Sequence, residues 1–486
     1  MARSAGWLGY AAAMPPDTPR RFPRRRVLIG AGILATVLVA LAVAVVVVLH
    51  RQGDVSNPNV EFRSEEPPPV PEPPTVPKGR EDPLDSFVWP TYGYTQDRRR
   101  YLPAPRSLKP PLRRAWKRRI GVLLEFPPIL VKQRLYVLAD NGILHAIDKH
   151  TGRVVWQRKL GNLSASSPTY SRGRLFVTIL ERRGGGGGRI VALRARSGKI
   201  LWSRDLPSRT ESSPLVDSGR VYAGSEDGTV YALKASNGRP QWTFRAGGAV
   251  KGAPALSDGR IYFGDYSGHV YALRQRTGRP IWVVGTSGAR FGFGSGRFYA
   301  TPTVAFGRVY LGNTDGNVYS FAADSGRLAW RTRTGGYVYA SGVVAQVPGG
   351  RPMVYAGSYD GSFYGIDARS GHIRWSHHDG GHISGSATVV GGIVYFGNIR
   401  KKHTLGLNAR TGRKVFEFRD GAYGSVISDG RTIFLVGNKT LYALQTPVTI
   451  RRLRREARQL ARARRQYQKR KAAYEAARRK AAASRN

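Results

Sequence analysis

Residues 221–242 read VYAGSEDGTVYALKASNGRPQW, and residues 261–282 read IYFGDYSGHVYALRQRTGRPIW. Set one beneath the other, they align Tyr222 with Tyr262, Gly228 with Gly268, Gly238 with Gly278 and Trp242 with Trp282. Each unit reads as a strand, a tight turn, a second strand, another turn, and a strand that carries tryptophan. The turn glycines follow Asp227, Asn237, Ser267 and Thr277, and a two-residue hairpin needs residues there that accept left-handed backbone. Between the turns, TVYAL (229–233) and HVYAL (269–273) mix β-branched, aromatic and small side chains, as buried strands do.

The same unit recurs in both directions at a spacing of about 40–48 residues, the signature of a repeat architecture. Its tryptophans are Trp156, Trp202, Trp242, Trp282, Trp330 and Trp375, and a seventh unit ends on Phe416 instead. Four strands per unit make a propeller blade. An eighth unit is split: residues 422–444 supply three strands and no tryptophan strand, whereas Trp116 in RRAWKRRIG stands 40 residues before Trp156 with no strands ahead of it. The sequence therefore predicts an all-β, eight-bladed propeller in which the N-terminal strand closes the last blade and hides two otherwise open sheet edges.

The spacing AxxxxTGxxxW, as in ALRQRTGRPIW (272–282), resembles the repeats of the pyrroloquinoline-quinone (PQQ) type of propeller. That resemblance covers residues 113–446. It implies the fold; it leaves function open among quinoprotein alcohol dehydrogenases, the propeller lipoprotein of the bacterial outer-membrane barrel-assembly machine, and sensor ectodomains of membrane kinases, since one fold hosts many activities. Active quinoproteins of this kind use a calcium-bound quinone, a catalytic Asp, a Glu and an Asn on the metal, and adjacent cysteines. No such set can be placed in this chain, so no cofactor and no catalytic residue is expected. A glycan-cleaving alternative would need paired carboxylates facing the channel.

Function is sought where the repeat breaks. Gly184–Gly188 replace a turn, IRKKH (399–403) replaces another, and GTSGARFGFGSGRFYA (285–300) lengthens a connection. The loops that lead from each outer strand to the next inner strand share a face, and that face would collect Arg209, Arg290, Phe293, Arg297, Tyr299, Tyr337, Tyr339 and His382, with Tyr423. Arginines among aromatics suit stacking and anion binding. This is the expected docking surface for an envelope protein or a glycan. His372, His377, His378 and His382 fall within a short tract but are spread over a strand and a loop, which predicts a surface cluster rather than a metal site. Phosphate-cradling and nucleophile-elbow motifs are absent from the sequence.

Outside the repeats the text changes character. Val27–Leu49 is 23 residues without a charge, enough to span roughly 30 Å as a helix. Arg20, Arg21, Arg24, Arg25 and Arg26 precede it and acids follow it, which predicts a cytoplasmic segment 1–26, a transmembrane helix 27–49, and everything after it on the outer side of the cell membrane. Residues 50–112 read as a Pro-rich linker and lead-in. The tail, 447–486, holds 15 Lys plus Arg against two Glu from Thr449 onward and predicts a basic helix suited to anionic lipid or wall polymer. The chain has no cysteine, which excludes disulfides and thiol chemistry, and carries a formal charge of +47. Arg outnumbers Lys 62 to 16, a bias that GC-rich coding alone would give without selection for a partner; outside the cell the tail would meet anionic lipid, wall polymer or extracellular DNA, and nucleic acid is not the expected partner. The expectation is a non-catalytic, membrane-anchored binding or scaffold protein, with a quinone-dependent oxidoreductase as the alternative.

Overall fold

The computed structural model describes residues 55–58, 60, 61, 63, 82–105, 107–182, 186–286, 296–421, 423, 424 and 426–483. The apolar segment 27–49 and its flanks lie outside the described residues; among those described, no helix is long and apolar enough to cross a membrane.

Eight antiparallel sheets follow one another, each built of the four strands that the repeats predict. The first blade comprises Ile129–Val131, Arg134–Leu138, Ile143–Asp148 and Val154–Lys159, and the seventh ends on Lys414–Phe418. In the eighth, Val426–Ser428, Ile433–Val436 and Thr440–Gln445 are completed by Arg113–Arg119, with Trp116 opposite Ala443. Middle strands are buried on both faces, so they read as continuous apolar runs such as RVYAG and TVYAL, whereas outer strands alternate.

Each tryptophan has the same three neighbours. Across its own sheet it faces a small residue, Ala146 for Trp156 and Gly365 for Trp375. Its ring packs on the turn glycine of the next blade: a Cβ at Gly198 would stand 2.7 Å from Trp156, and one at Gly412 would stand 2.6 Å from Trp375. Its indole nitrogen donates to a carbonyl in that same turn, from Trp116 to Lys149, Trp242 to Gln275, and Trp375 to Ala409. The motif is thus a blade-to-blade clasp, seven times repeated. In the seventh blade Phe416 takes the tryptophan's place, edge-on to Tyr395 at 5.6 Å, and the third strand of the eighth blade is followed by the C-terminal helix rather than by a turn and a fourth strand.

A hoop inside the ring carries no repeat signal. Val88–Trp89 pairs with Leu130 and Val131 of the first blade, and Pro90 accepts from Tyr170 in the second. Gln96 bonds Val216 and Leu256, and Asp97 accepts from Val304. Arg99 accepts from Val344, and Tyr101–Leu102 lies parallel to the innermost strand of the seventh blade. Residues 88–102 therefore bond the innermost strands of seven successive blades, and Asp82 pairs with Arg431 in the eighth. Arg98 and Arg100, nearly inaccessible to solvent, donate to main-chain carbonyls and threonine hydroxyls. Arg98 donates to Pro254 at 2.9 Å, to Pro214 at 3.3 Å, and to Tyr92.

Two further pieces lie outside the blades. Val55–Ser56 adds a fifth strand to the outer edge of the fifth blade, opposite Trp330 and Arg331. Pro447–Ala483 is one helix of 37 residues, opened by Pro447 at a position where its missing N–H costs nothing and by Thr446, whose hydroxyl accepts from the Thr449 amide at 3.3 Å.

Candidate functional site

The loops entering the innermost strands surround a cup of about 210 Å³ on the propeller axis. Tyr92 of the hoop lines it, its hydroxyl 2.7 Å from Ser386 and its ring beneath the Arg100 guanidinium at 4.6 Å. The hoop thus supplies part of the cup's wall. Tyr266, Tyr299, Tyr339, Tyr359 and Tyr423 supply most of the wall, with Ser213, Ser341 and Ser384 between them.

The rings continue from cup to rim. Tyr266 and Tyr299 have centroids 6.3 Å apart, Tyr299 and Tyr339 5.7 Å, and Tyr339 and Tyr359 4.9 Å. Tyr337 meets Tyr339 edge-on at 5.9 Å, and His382 lies 4.8 Å from Tyr359. Edge-to-face contacts of this kind hold aromatic side chains in fixed orientations. Tyr337 remains 53% exposed and gives the arc its outward face.

Charge is concentrated on one side of the cup. Lys251 sits 2.8 Å from both Glu211 and Glu226, and the Tyr299 hydroxyl donates to the other Glu211 oxygen at 3.0 Å. Burial lowers the proton affinity of Lys251, and the two glutamates more than restore it, raising its pKa. Burial raises that of Tyr299, with the Glu211 carboxylate adding to it, so this phenol stays a donor. Glu125 faces the same space; burial, then the fields of Glu211 and Asp140, push it up to about 7 against the opposing effect of Lys251.

Of the residues expected on this face, Tyr299, Tyr339 and Tyr423 line the cup and Tyr337 and His382 carry the arc outward. Arg297 lies 5.3 Å over the Tyr266 ring, and Arg209 stands 3.9 Å from Glu226. Arg290 and Phe293 lie outside the described residues. Sequence reasoning did not pick out Tyr92, Glu125, Glu211, Lys251, Tyr266 or Tyr359. The signal for two of them was present: Tyr266 in GDYSG and Tyr359 in GSYDG occupy the turn position that Glu226 holds in GSEDG.

Two carboxylates therefore do face the channel. Glu211 is engaged on both oxygens, by Lys251 on one and by the Tyr299 hydroxyl on the other. The histidine tract does not converge, and among the described residues no three of His, Asp and Glu form a group that could hold a metal ion.

The family model for the outer membrane protein assembly factor BamB matches residues 113–183, 140–292 and 252–447. No curated protein matches the chain. Among solved structures, BamB from Moraxella catarrhalis is similar at 17% identity and a TM-score of 0.55, covering 69% of this chain and 100% of its own. A quinohemoprotein alcohol dehydrogenase from Pseudomonas putida HK5 is similar at 14% identity and a TM-score of 0.62, covering 74% and 81%. A europium-containing methanol dehydrogenase is similar at 15% identity and 0.62, covering 75% and 99%. At these identities the likeness is one of fold.

Proposed function

This chain belongs to the family of the outer membrane protein assembly factor BamB, and on that premise we propose that it is a non-catalytic docking scaffold of the cell envelope. The observation that carries the reading is the tyrosine arc. Rigid aromatic side chains with one exposed edge give large contact area at small entropic cost, as protein-binding surfaces require. They stand at the open mouth of a channel whose other end the hoop occupies.

The anchor belongs to the same proposal. The uncharged segment 27–49, with arginines before it and acids after it, supports a single-pass protein whose propeller is extracytoplasmic. The exposed basic helix supports adhesion to anionic lipid or wall polymer.

A photo-crosslinking side chain at position 337 of the full chain, in cells, is the direct test. Crosslinks to an envelope protein or glycan that weaken on Tyr359→Ala are expected; a pattern identical to that from a crosslinker on the outer strand at Gln241 would overturn the docking face. The quinoprotein relatives give the oxidoreductase reading its support. Calcium-dependent quinone binding with alcohol-dependent dye reduction by the full chain would replace the scaffold reading.

A further inference from the structure

Glu125 stands apart from the other carboxylates of the cup. Glu211 and Glu226 are both held by Lys251, whereas Glu125 makes no hydrogen bond or ion pair among the described residues. Residues 113–448 contain 48 Lys and Arg, 19 Asp and Glu, and only five glutamates. Two of those five, Glu125 and Glu211, line the cup, and a third, Glu226, is held by the Lys251 that lines it too. A composition that drifts toward arginine does not gather glutamate, so the cluster points to what the cup holds.

We propose that the cup binds a primary ammonium group, seated against the Glu125 carboxylate and between the ring faces of the channel tyrosines. The inference rests on the reading of the open mouth as a docking face, through which a partner's lysine side chain would enter; a free alkylamine has the same chemistry. The wall already serves cations. Lys251 lies 5.6 Å from the Tyr266 centroid, and Arg297 approaches that ring as well. An anion would meet Glu125 and Glu211, and a metal ion would find too few converging donors among the described residues. An ammonium ion instead gains the Glu125 carboxylate, with Ser and Tyr hydroxyls of the wall as further acceptors.

Proton linkage gives the proposal a signature. The charged groups that act on Glu125 are Glu211, Asp140 and Lys251, and its pKa is pushed up to about 7. Below that value it is mostly protonated and attracts a cation weakly; above it the carboxylate is available. The ligand itself stays charged until about pH 10. Affinity should therefore rise with pH through neutrality, by at most about tenfold per pH unit for one linked proton.

The test is calorimetric titration of the full-length chain with n-butylamine at about pH 8 and about pH 6, with n-butanol and butyrate as isosteres. Expected are a dissociation constant near about 1 mM or tighter at the higher pH, weaker binding at the lower, and no binding of the isosteres. Glu125→Gln should weaken binding about tenfold at the higher pH and remove the pH dependence, with an unchanged unfolding temperature showing that the variant is folded. Tyr339→Ala provides a second loss of affinity that does not alter the carboxylate. Equal binding of butanol and butylamine, or a Glu125→Gln chain that binds like the parent, overturns the proposal. N-acetyl-lysine methylamide separates the sources: binding comparable to butylamine assigns the cup to a partner's lysine, and exclusion of the amide assigns it to a small free amine. Loss of crosslinking at position 337 with intact butylamine binding would sink the docking face alone, and the reverse result would sink the ammonium site alone.

Discussion

The ammonium of Lys149 and the carboxylate of Asp429 lie 3.5 Å apart across the seam between the first and eighth blades, both side chains 1% exposed. Lys149 also donates to the Leu84 carbonyl at 2.6 Å and pairs with Asp85 at 3.2 Å, while its own carbonyl accepts from Trp116. The lead-in, the first blade and the last blade thus share one buried cation. Lys149→Met removes it and leaves Asp429 charged and buried, which should cost about 3–5 kcal/mol in denaturant unfolding. In an Asp429→Asn background the same change should cost distinctly less, because the uncompensated charge is gone. Equal costs in both backgrounds would show that the pair does not hold the seam.

Arg98 ties the hoop to the third and fourth blades through main-chain carbonyls at Pro214 and Pro254. Its planar fork aims separate nitrogens at Pro254, Pro214 and Tyr92 from fixed directions, which the single nitrogen of a lysine does not reproduce. Arg98→Lys should therefore lower stability by about 2–3 kcal/mol although the charge is kept. It should also expose residues 88–102 to limited proteolysis before the blades are cut. A variant as stable and as resistant as the parent would mean that the hoop is a passenger in the channel.

Asp367 closes the turn of the sixth blade, accepting from the Ser370 amide at 3.0 Å and from Arg374 at 3.0 Å. Burial raises its pKa, but those donors outweigh it and the net shift is downward. A depressed carboxylate contributes stability above its unfolded pKa, near about 3.9, and loses that contribution as pH falls through the folded value. Asp367→Asn should thus destabilise the chain at pH near about 7 by roughly 1.5–3 kcal/mol and converge on the parent toward about pH 2. A gap that persists in acid would assign the effect to packing rather than to charge.

How far the sequence reveals the molecule follows from where periodicity exists. Trp242 and Gly278 announce themselves because a clasp used seven times leaves a repeated pattern, and the unmatched Trp116 even foretells the shared eighth blade. The hoop is used once. VWPTYGYTQDRRRYL makes its bonds to strands distant in sequence, so no local spacing betrays it, and nothing in the run of three arginines announces that Arg98 and Arg100 are buried. The cup was half legible for the same reason: Tyr299, Tyr337 and Tyr339 stand out as aromatics in their connections, whereas Glu125 and Glu211 are single acids and gain their meaning only when the ring brings them to one cup.

The helix Pro447–Ala483 offers a last prediction, since its described side chains are almost all in water. Its charge is overwhelmingly basic, and among the described residues its one ion pair is Arg452–Glu456 at 3.7 Å. Like charges three and four residues apart oppose helix formation, and an anionic surface relieves that repulsion while it gains contacts worth about 1 kcal/mol per cation. The full chain reconstituted in vesicles should therefore capture added anionic vesicles, and far fewer neutral ones. A chain lacking 447–486 should lose most of that capture. The attraction should fade between about 0.05 and 0.5 M salt as the screening length shrinks below the spacing of the charges. Capture that survives both the truncation and the salt would transfer the effect to the basic propeller, whose 48 cations and 19 acids leave it strongly positive without the tail.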